Sequence, residues 1–508
     1  MKTRTIRRVS QGIFLGLFLY LIAKTAYPLL DRLPVDLFVQ LDPLVAGATA
    51  LAARAFIPKM ALSLIVVGMT LLLGRVFCGW ICPLGTTLDV SDKLFFREKR
   101  RRDAPRLYRW KYYILAGLAV SALFTMQLVY LLDPLSLLTR TIVLVFVAPI
   151  QMALRGLGAV LYGWAMNGFG PMVWMSDRFN SWQFVSNPQM YFGQALIVLA
   201  VFVGIVGLNS LSRRFWCRNL CPLGALLGLL SHVPVLKRVV NTECVDCAKC
   251  TKDCKTAAIH ENPRLARKTE CIECFNCTTC PHDAISFRFR SKPELHRQTK
   301  LDLSRRRVLQ GTGIGLAAAA LIKIDPGRKH ALSGTSPIKL SSSTLIRPPG
   351  SVPEDQFVAR CVRCAACMKA CPTNGLQPAL HEAGIEGFWT PVLVPRIGCC
   401  TQECNACGQV CPTDAIEPFE IKGKANIFIG TATIDRDQCL AWYADKKCLV
   451  CDEYCSYKAI EWKIVDGIRR PFVNEEKCVG CGICESACPI QPTAAIRVFS
   501  RGDRRISG

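Results

Sequence analysis

The sequence predicts two kinds of structure in one chain: an α-helical membrane domain of four spans, built as a duplicated helix hairpin, and small α+β domains folded around metal clusters. Three observations predict it. Residues 12–30, 60–77, 111–131 and 190–210 are apolar and about long enough to cross a hydrocarbon core of roughly 30 Å. The motif LDPL recurs at 41–44 and 132–135, and CGWICPLG at 78–85 returns as CRNLCPLG at 217–224. Most of the 29 cysteines fall in runs close to C-x2-C-x2-C-x3-C, the spacing that builds iron–sulfur cubanes.

With 508 residues the chain holds several domains, and 51% hydrophobic residues with a mean hydropathy of +0.26 place part of it in lipid. The net charge of +25 does not imply nucleic acid. The basic residues stand in KTRTIRR at 2–8, in FFREKRRRDAPRLYRWK at 95–111 and in SRR at 212–214, as the positive-inside rule and anionic lipid require. A disulfide framework suits small secreted domains rather than this length and spacing. Zinc sites use separated C-x2-C pairs, whereas here a third cysteine follows at once.

The repeat places residues 1–235 in the membrane domain. Two hairpins of two helices each, related by an axis along the membrane normal, put both LDPL turns outside and both CPLG motifs at the cytoplasmic face. A fifth apolar stretch, 141–165, carries Pro149 and Arg155; counting it as a span would separate the CPLG motifs across the membrane, so it reads as re-entrant or interfacial. Each Asp-Pro serves as a helix start, with Asp at the N-cap and Pro at the first helical position. Asp42, Asp133 and Tyr130 are also the candidate catalytic groups, accepting or relaying a proton from a quinol on the outer side. Cys78 with Cys82 and Cys217 with Cys221 put paired sulfurs one helical turn apart. These four thiols are candidate metal ligands, or they cycle as dithiols, or they pack as small apolar residues.

The cluster runs begin after residue 235. Cys244, Cys247, Cys250 and Cys254 form one, and Cys271, Cys274, Cys277 and Cys280 the next, within a domain at 236–300. In such paired runs three thiolates hold one cluster and the fourth ligates its neighbour. Cys244, Cys247 and Cys250 then go with Cys280, and Cys271, Cys274 and Cys277 with Cys254. Residues 356–508 hold four more runs: Cys361, Cys364, Cys367 and Cys371; Cys400, Cys404, Cys407 and Cys411; Cys439, Cys448, Cys451 and Cys455; and Cys478, Cys481, Cys484 and Cys488, closed by Pro489. Six 4Fe-4S clusters use twenty-four cysteines and leave the CPLG thiols and one of Cys399 and Cys400.

Between the two cluster regions lies segment 301–355. SRRRVLQ at 304–310 followed by GTGIGLAAAALI has the form of a twin-arginine export signal placed mid-chain. A domain whose clusters are assembled in the cytoplasm must be exported folded, so the position makes physical sense. The alternative is a basic linker ahead of a short helix. Residues 325–355 are a Pro/Gly/Ser-rich linker.

The CGWICPLG and CRNLCPLG motifs ahead of paired cluster runs resemble the NapH-type membrane polyferredoxins, quinol-dehydrogenase subunits. The four later runs resemble the NapG/MauM-type periplasmic ferredoxins. The resemblance implies ferredoxin-like 4Fe-4S domains and a natural fusion of the two types. It implies nesting of the outer runs, with Cys361, Cys364 and Cys367 joined by Cys488, and Cys478, Cys481 and Cys484 by Cys371. It also implies a multi-pass protein of the bacterial inner membrane, with 236–300 cytoplasmic and the C-terminal cluster domain in the periplasm. The expected partners are membrane lipid, the quinone pool (menaquinone or ubiquinone) and a periplasmic reductase or cytochrome. None of the six histidines lies in an apolar span and no C-x-x-C-H occurs, so no haem is expected; GTGIG lacks the dinucleotide spacing, so no flavin or nicotinamide site is expected. The function expected is quinol oxidation feeding the outer clusters. Alternatives are a conduit from a cytoplasmic donor to the periplasm and a maturation or copper-handling factor using the CPLG thiols.

Overall fold

The structure is a computed structural model and describes residues 2–29, 35–96, 107–166, 170–182, 190–231, 235–259, 262–289, 303–323 and 345–501. Most of the expected linker, residues 325–344, lies outside the described residues. The chain forms two compact units that do not follow the expected linear boundaries. One comprises Met1–Leu21, Leu37–Leu138 and Leu199–Ala319, the other Ile22–Asp36, Thr139–Val198 and Ala320–Gly508.

In the first unit the sequence repeat is a structural repeat with more parts than a helix hairpin. Its first copy contains helices Lys2–Lys24, Pro43–Ala53, Ser63–Leu73 and Pro83–Phe95. The second copy opens with Trp110–Leu123 and closes with Pro222–Leu230. Each LDPL starts a helix because its aspartate caps the exposed backbone N–H groups. Oδ1 of Asp42 accepts from the amides of Leu44 at 2.8 Å and Val45 at 3.2 Å, and Oδ2 of Asp133 accepts from Ser136 at 2.7 Å. Each CPLG likewise starts a helix, with Cys82 or Cys221 at the N-cap and proline, whose missing N–H costs nothing there, at the first position.

The helices depart from the expected spans. Among the described residues, Thr3–Lys24 and Pro134–Trp164 are long and apolar enough to cross a membrane, while Pro43–Ala53, Pro58–Leu73 and Ala195–Ser210 are shorter apolar helices. The expected span 111–131 breaks after Leu123; its 14 helical residues rise only about 21 Å. The stretch 141–165, read as re-entrant or interfacial, is instead part of a continuous helix. A π-turn at Ile142–Phe146 precedes Pro149. The wider turn relieves the clash between the proline ring and the carbonyl four residues earlier, so the helix continues.

The same unit holds the first ferredoxin-like module, in which strands β1 (Leu236–Val240) and β2 (Ile285–Phe289) pair antiparallel from Leu236 opposite Phe289 to Val240 opposite Ile285. The cysteine loops lie between them. The twin-arginine-like segment is a helix, Arg305–Lys323, that approaches Trp110–Leu123 through glycines. A Cβ on Gly315 would meet Gly117 O at 2.4 Å, and one on Gly311 would meet Tyr113 O at 2.8 Å. The spacing Gly311-x-x-x-Gly315 thus serves close helix packing.

In the second unit, residues 345–501 form a ferredoxin-like module of three two-stranded antiparallel sheets. They pair β3 (Leu376–Pro378) with β4 (Pro391–Leu393), β5 (Thr431–Ile434) with β8 (Ile496–Phe499), and β6 (Ile460–Val465) with β7 (Ile468–Val473). A small apolar core gathers Leu345, Ala379, Ala383 and Val392. Segments from the N-terminal half pack on this module. Asn374 Nδ2 and Gln377 Nε2 donate to Tyr191 O, Gln194 Nε2 donates to Pro378 O at 2.7 Å, and the Arg140 guanidinium lies 4.1 Å above the Trp389 ring.

Candidate iron–sulfur sites

Backbone conformation shapes the cysteine loops. In four runs the residues on either side of the second cysteine are left-handed: Asp246 and Ala248, Glu273 and Phe275, Arg363 and Ala365, Gly480 and Gly482. For residues other than glycine this costs of order 1–3 kcal/mol each, and the return is a concave nest of amides that suits an anionic cluster. A second left-handed residue falls three positions past the last cysteine at Ala257, Asp283, Asn374, Asp414 and Lys458. The runs beginning at Cys400 and Cys439 have longer gaps and lack the flanking pair.

In the first unit Cys271, Cys274 and Cys277 gather with Cys254, and Cys244, Cys247, Cys250 and Cys280 line one cavity. This is the crosswise arrangement expected from the spacing, with Cys280 in place despite its shortened run. Arg238 lies between the two sites, its Nη2 3.8 Å from Cys250 Sγ and its charge felt by Cys277.

The outer runs pair differently from the nesting expected. Cys361, Cys364 and Cys367 gather with Cys411, not Cys488. Cys400, Cys404 and Cys407 gather with Cys371. Cys439, Cys448 and Cys451 line a cavity with Cys488, and Cys478, Cys481 and Cys484 gather with Cys455. First pairs with second and third with fourth, because β5 and β8 bracket the later two runs and hold them together. Of the adjacent pair, Cys400 is the one whose charge Cys407 feels, and its amide donates to Cys481 O at 2.8 Å. That bond joins the two pairs. The four sites therefore follow one another as the Cys361, Cys400, Cys478 and Cys439 sites, with the Tyr457 hydroxyl within electrostatic reach of Cys400, Cys455 and Cys481 at the central junction.

Among the described residues no group of three or more His, Cys, Asp or Glu is compact enough for a single metal ion. Quartets of this looser kind fit a cubane, whose thiolates sit on four separate irons.

A family model described as a 4Fe-4S dicluster domain matches residues 446–491, and one described as a 4Fe-4S binding domain matches 59–103 and 194–241. The dicluster match contains Cys448, Cys451 and Cys455 of the third outer run together with the whole fourth run, in agreement with their pairing. The methylamine utilization ferredoxin-type protein MauM of Methylorubrum extorquens is 36% identical over 169 residues, 32% of this chain and 75% of that protein. The chain belongs to the family of ferredoxin-type proteins. Ferredoxin-type protein NapG of Escherichia coli is 31% identical over 213 residues, 39% of this chain and 87% of NapG. Ferredoxin-type protein NapF of the same organism is 33% identical over 175 residues, 34% of this chain and 96% of NapF. No solved structure matches the chain. This ferredoxin-type protein carries 4Fe-4S clusters and transfers electrons.

Burial raises the cluster thiols of this ferredoxin-type chain, Cys364 to about 12 and Cys367, Cys407 and Cys484 well above their ordinary value. Cluster binding must therefore displace protons from them.

The four CPLG thiols come together in the first unit, each within electrostatic reach of the others, and burial pushes Cys217 up to about 11. Around them lies a charged network that sequence reasoning missed. Asp89 receives Nε of Arg214 at 2.9 Å, Nη2 of Arg214 at 2.8 Å and Nζ of Lys255 at 2.6 Å; these cations hold its carboxyl well below the usual range against the cost of burial. Glu270 receives Nζ of Lys111, the Tyr112 hydroxyl at 2.9 Å and Nη1 of Arg75 at 3.5 Å. Lys255 follows Cys254 and Glu270 precedes Cys271, so the two carboxylate networks tether the Cys271 site to the repeat. The signal was available: arginine stands three residues before the first cysteine of both motifs, in RVFC and RFWC. As part of the basic SRR stretch Arg214 reads in sequence as a topology signal, yet it is 2% exposed.

The candidate proton groups also converge. Asp42 and Asp133 are both fully buried, and their carboxyls lie close enough for the charge of Asp133 to be felt at Asp42. Each spends one oxygen on its helix cap, and neither Oδ2 of Asp42 nor Oδ1 of Asp133 receives a donor from the protein. Tyr130 is buried in the turn Val129–Leu131, which packs on the helix that Asp42 caps.

Proposed function

We propose that the protein is a membrane-bound fusion of NapH-like and NapG-like parts that oxidises quinol and passes the electrons through its outer clusters to a periplasmic reductase or cytochrome. The observation that carries the reading is the contiguity of the four outer sites through the Cys400 to Cys481 bond. A protein that only stored or delivered metal would have no use for such an order. Six 4Fe-4S clusters held by the runs would each carry one electron, and quinol would deliver its pair stepwise. Asp42 and Asp133 lie together sealed from solvent and would share a proton, which suits a relay that takes protons onward more than a first contact with quinol. Two long apolar helices support membrane attachment, and the shorter helices of the repeat would complete a multi-pass domain. The relatives named NapG and MauM favour a periplasmic place for the outer module.

Anaerobic EPR of membranes containing the protein tests the reading. Addition of a menaquinol or ubiquinol analogue is expected to reduce the outer cubanes in a preparation holding about twenty-four irons in the runs. Full iron with no response to quinol would overturn it. A second reading, a conduit from a cytoplasmic donor, is favoured by one observation: Cys247 is exposed, so the Cys244 site is open to a soluble partner. Reduction of the outer clusters by dithionite-reduced ferredoxin after quinone extraction would select that reading.

A further inference from the structure

Each segment matched by the 4Fe-4S binding model holds only one C-x3-C pair, Cys78 with Cys82 or Cys217 with Cys221. Neither segment alone can complete a four-thiolate site. The fold brings the two pairs together and crosses their arginines between halves. Arg214 Nη2 donates to Gly85 O at 3.1 Å and Nη1 to Cys78 O at 3.0 Å, while Arg75 Nη2 stands 2.7 Å from where a Cβ on Gly224 would lie. Arg75 acts on Cys78 and Cys221, and Arg214 on Cys217 and Cys82.

The charges around these thiols do not balance. Arg75 and Lys111 share Glu270, and Arg214, Arg7 and Lys255 share Asp89. Nε of Arg75 is buried with no partner. Uncompensated buried cations are costly, and four ligating thiolates would supply the missing negative charge. A single ion would need four sulfurs about 2.3 Å from one centre, and the described residues contain no group that compact. The cysteine quartets of the ferredoxin runs are likewise too open for one ion.

We propose that Cys78, Cys82, Cys217 and Cys221 together hold one further iron–sulfur cluster, shared by the two halves of the repeat and flanked by Arg75 and Arg214. Its place gives it a neighbour. Gly79, inside the first motif, lies so close to Ile272 that a Cβ would fall 2.2 Å from the Ile272 carbonyl oxygen, and Trp80 Nε1 donates to Glu273 O at 2.9 Å. The site is one loop from Cys271. The inference stands whichever way electrons run and whether or not quinol is the donor.

Iron and acid-labile sulfide counted on the full chain, purified anaerobically in detergent, test it with 57Fe Mössbauer spectroscopy. Wild type is expected to exceed the ferredoxin runs by about four irons for a cubane or about two for a two-iron cluster. Cys82→Ser and Cys221→Ser are each expected to lose that same increment while the signals of the Cys244 and Cys271 sites persist. Failure of the outer module to load lowers both totals and leaves this difference readable. Should one variant not accumulate, the wild-type count alone decides. Equal iron in wild type and variants, with four titratable thiols, a pair of disulfides or one zinc or copper ion at the site, overturns the proposal.

Discussion

Cys411 and Cys488 are chemically alike, each the last cysteine of its run, and they serve different neighbours. Cys411→Ser is expected to abolish the EPR signal of the Cys361 site and Cys488→Ser that of the Cys439 site; the reverse result would restore the nested order. The runs themselves were legible because thiolate spacing dictates the chemistry. Their pairing was not, since a run carries no mark of which partner the chain will fold beside it. Asp42 and Asp133 were legible as caps from Asp-Pro alone, but their meeting depends on how two distant turns pack. Asp42→Asn keeps the cap and can donate to Asp133, so the fold should survive. Without a second carboxyl to take the proton, quinol-driven cluster reduction should slow by about 10²-fold in stopped-flow absorbance. An unchanged rate would remove the pair from the proton path.

Among elements, the repeat was visible as two motifs, while its helices were misjudged in length because apolar composition does not reveal where a helix stops. Gly74 is left-handed with φ 83° and ends Ser63–Leu73, and the π-turn lets the helix at 134 run past Pro149. Arg75 and Arg214 were hidden for another reason: arginine beside a span looks the same in sequence whether it faces lipid headgroups or a buried carboxylate. Asp89→Asn is expected to cost about 3–5 kcal/mol by leaving buried cations unpaired, read as a fall in the thermal midpoint of the detergent-solubilised protein. The sign with pH follows. Asp89 titrates below its unfolded value of about 3.9, so its contribution is present above that pH and disappears as pH falls through the lower folded value. The variant should lose that acid-side slope. Gly315→Leu should separate Arg305–Lys323 from Trp110–Leu123 at a cost of about 1–3 kcal/mol. A helix docked this way stays with the chain, so the mass of the mature protein should include residues 305–323; cleavage after residue 323 would contradict the packing.

At the scale of the whole molecule, residues 345–501 have only two-stranded sheets and a core of small side chains around Leu345 and Val392. Isolated two-stranded hairpins are marginal in water, so the clusters supply the missing interior. Removing iron with an oxidant and chelator should render this module sensitive to protease at low temperature, whereas the helical repeat should persist; resistance of the iron-free module would refute the dependence. The exchange of last cysteines has a consequence for how iron enters. Because Cys371 and Cys411 cross between one pair of sites, and Cys455 and Cys488 between the other, no site can be finished until its neighbour's loop is in place. Partial loading of a pair is then an unstable condition, and under iron limitation the population should divide into molecules with both members of a pair or with neither. The protein would count its iron by eights.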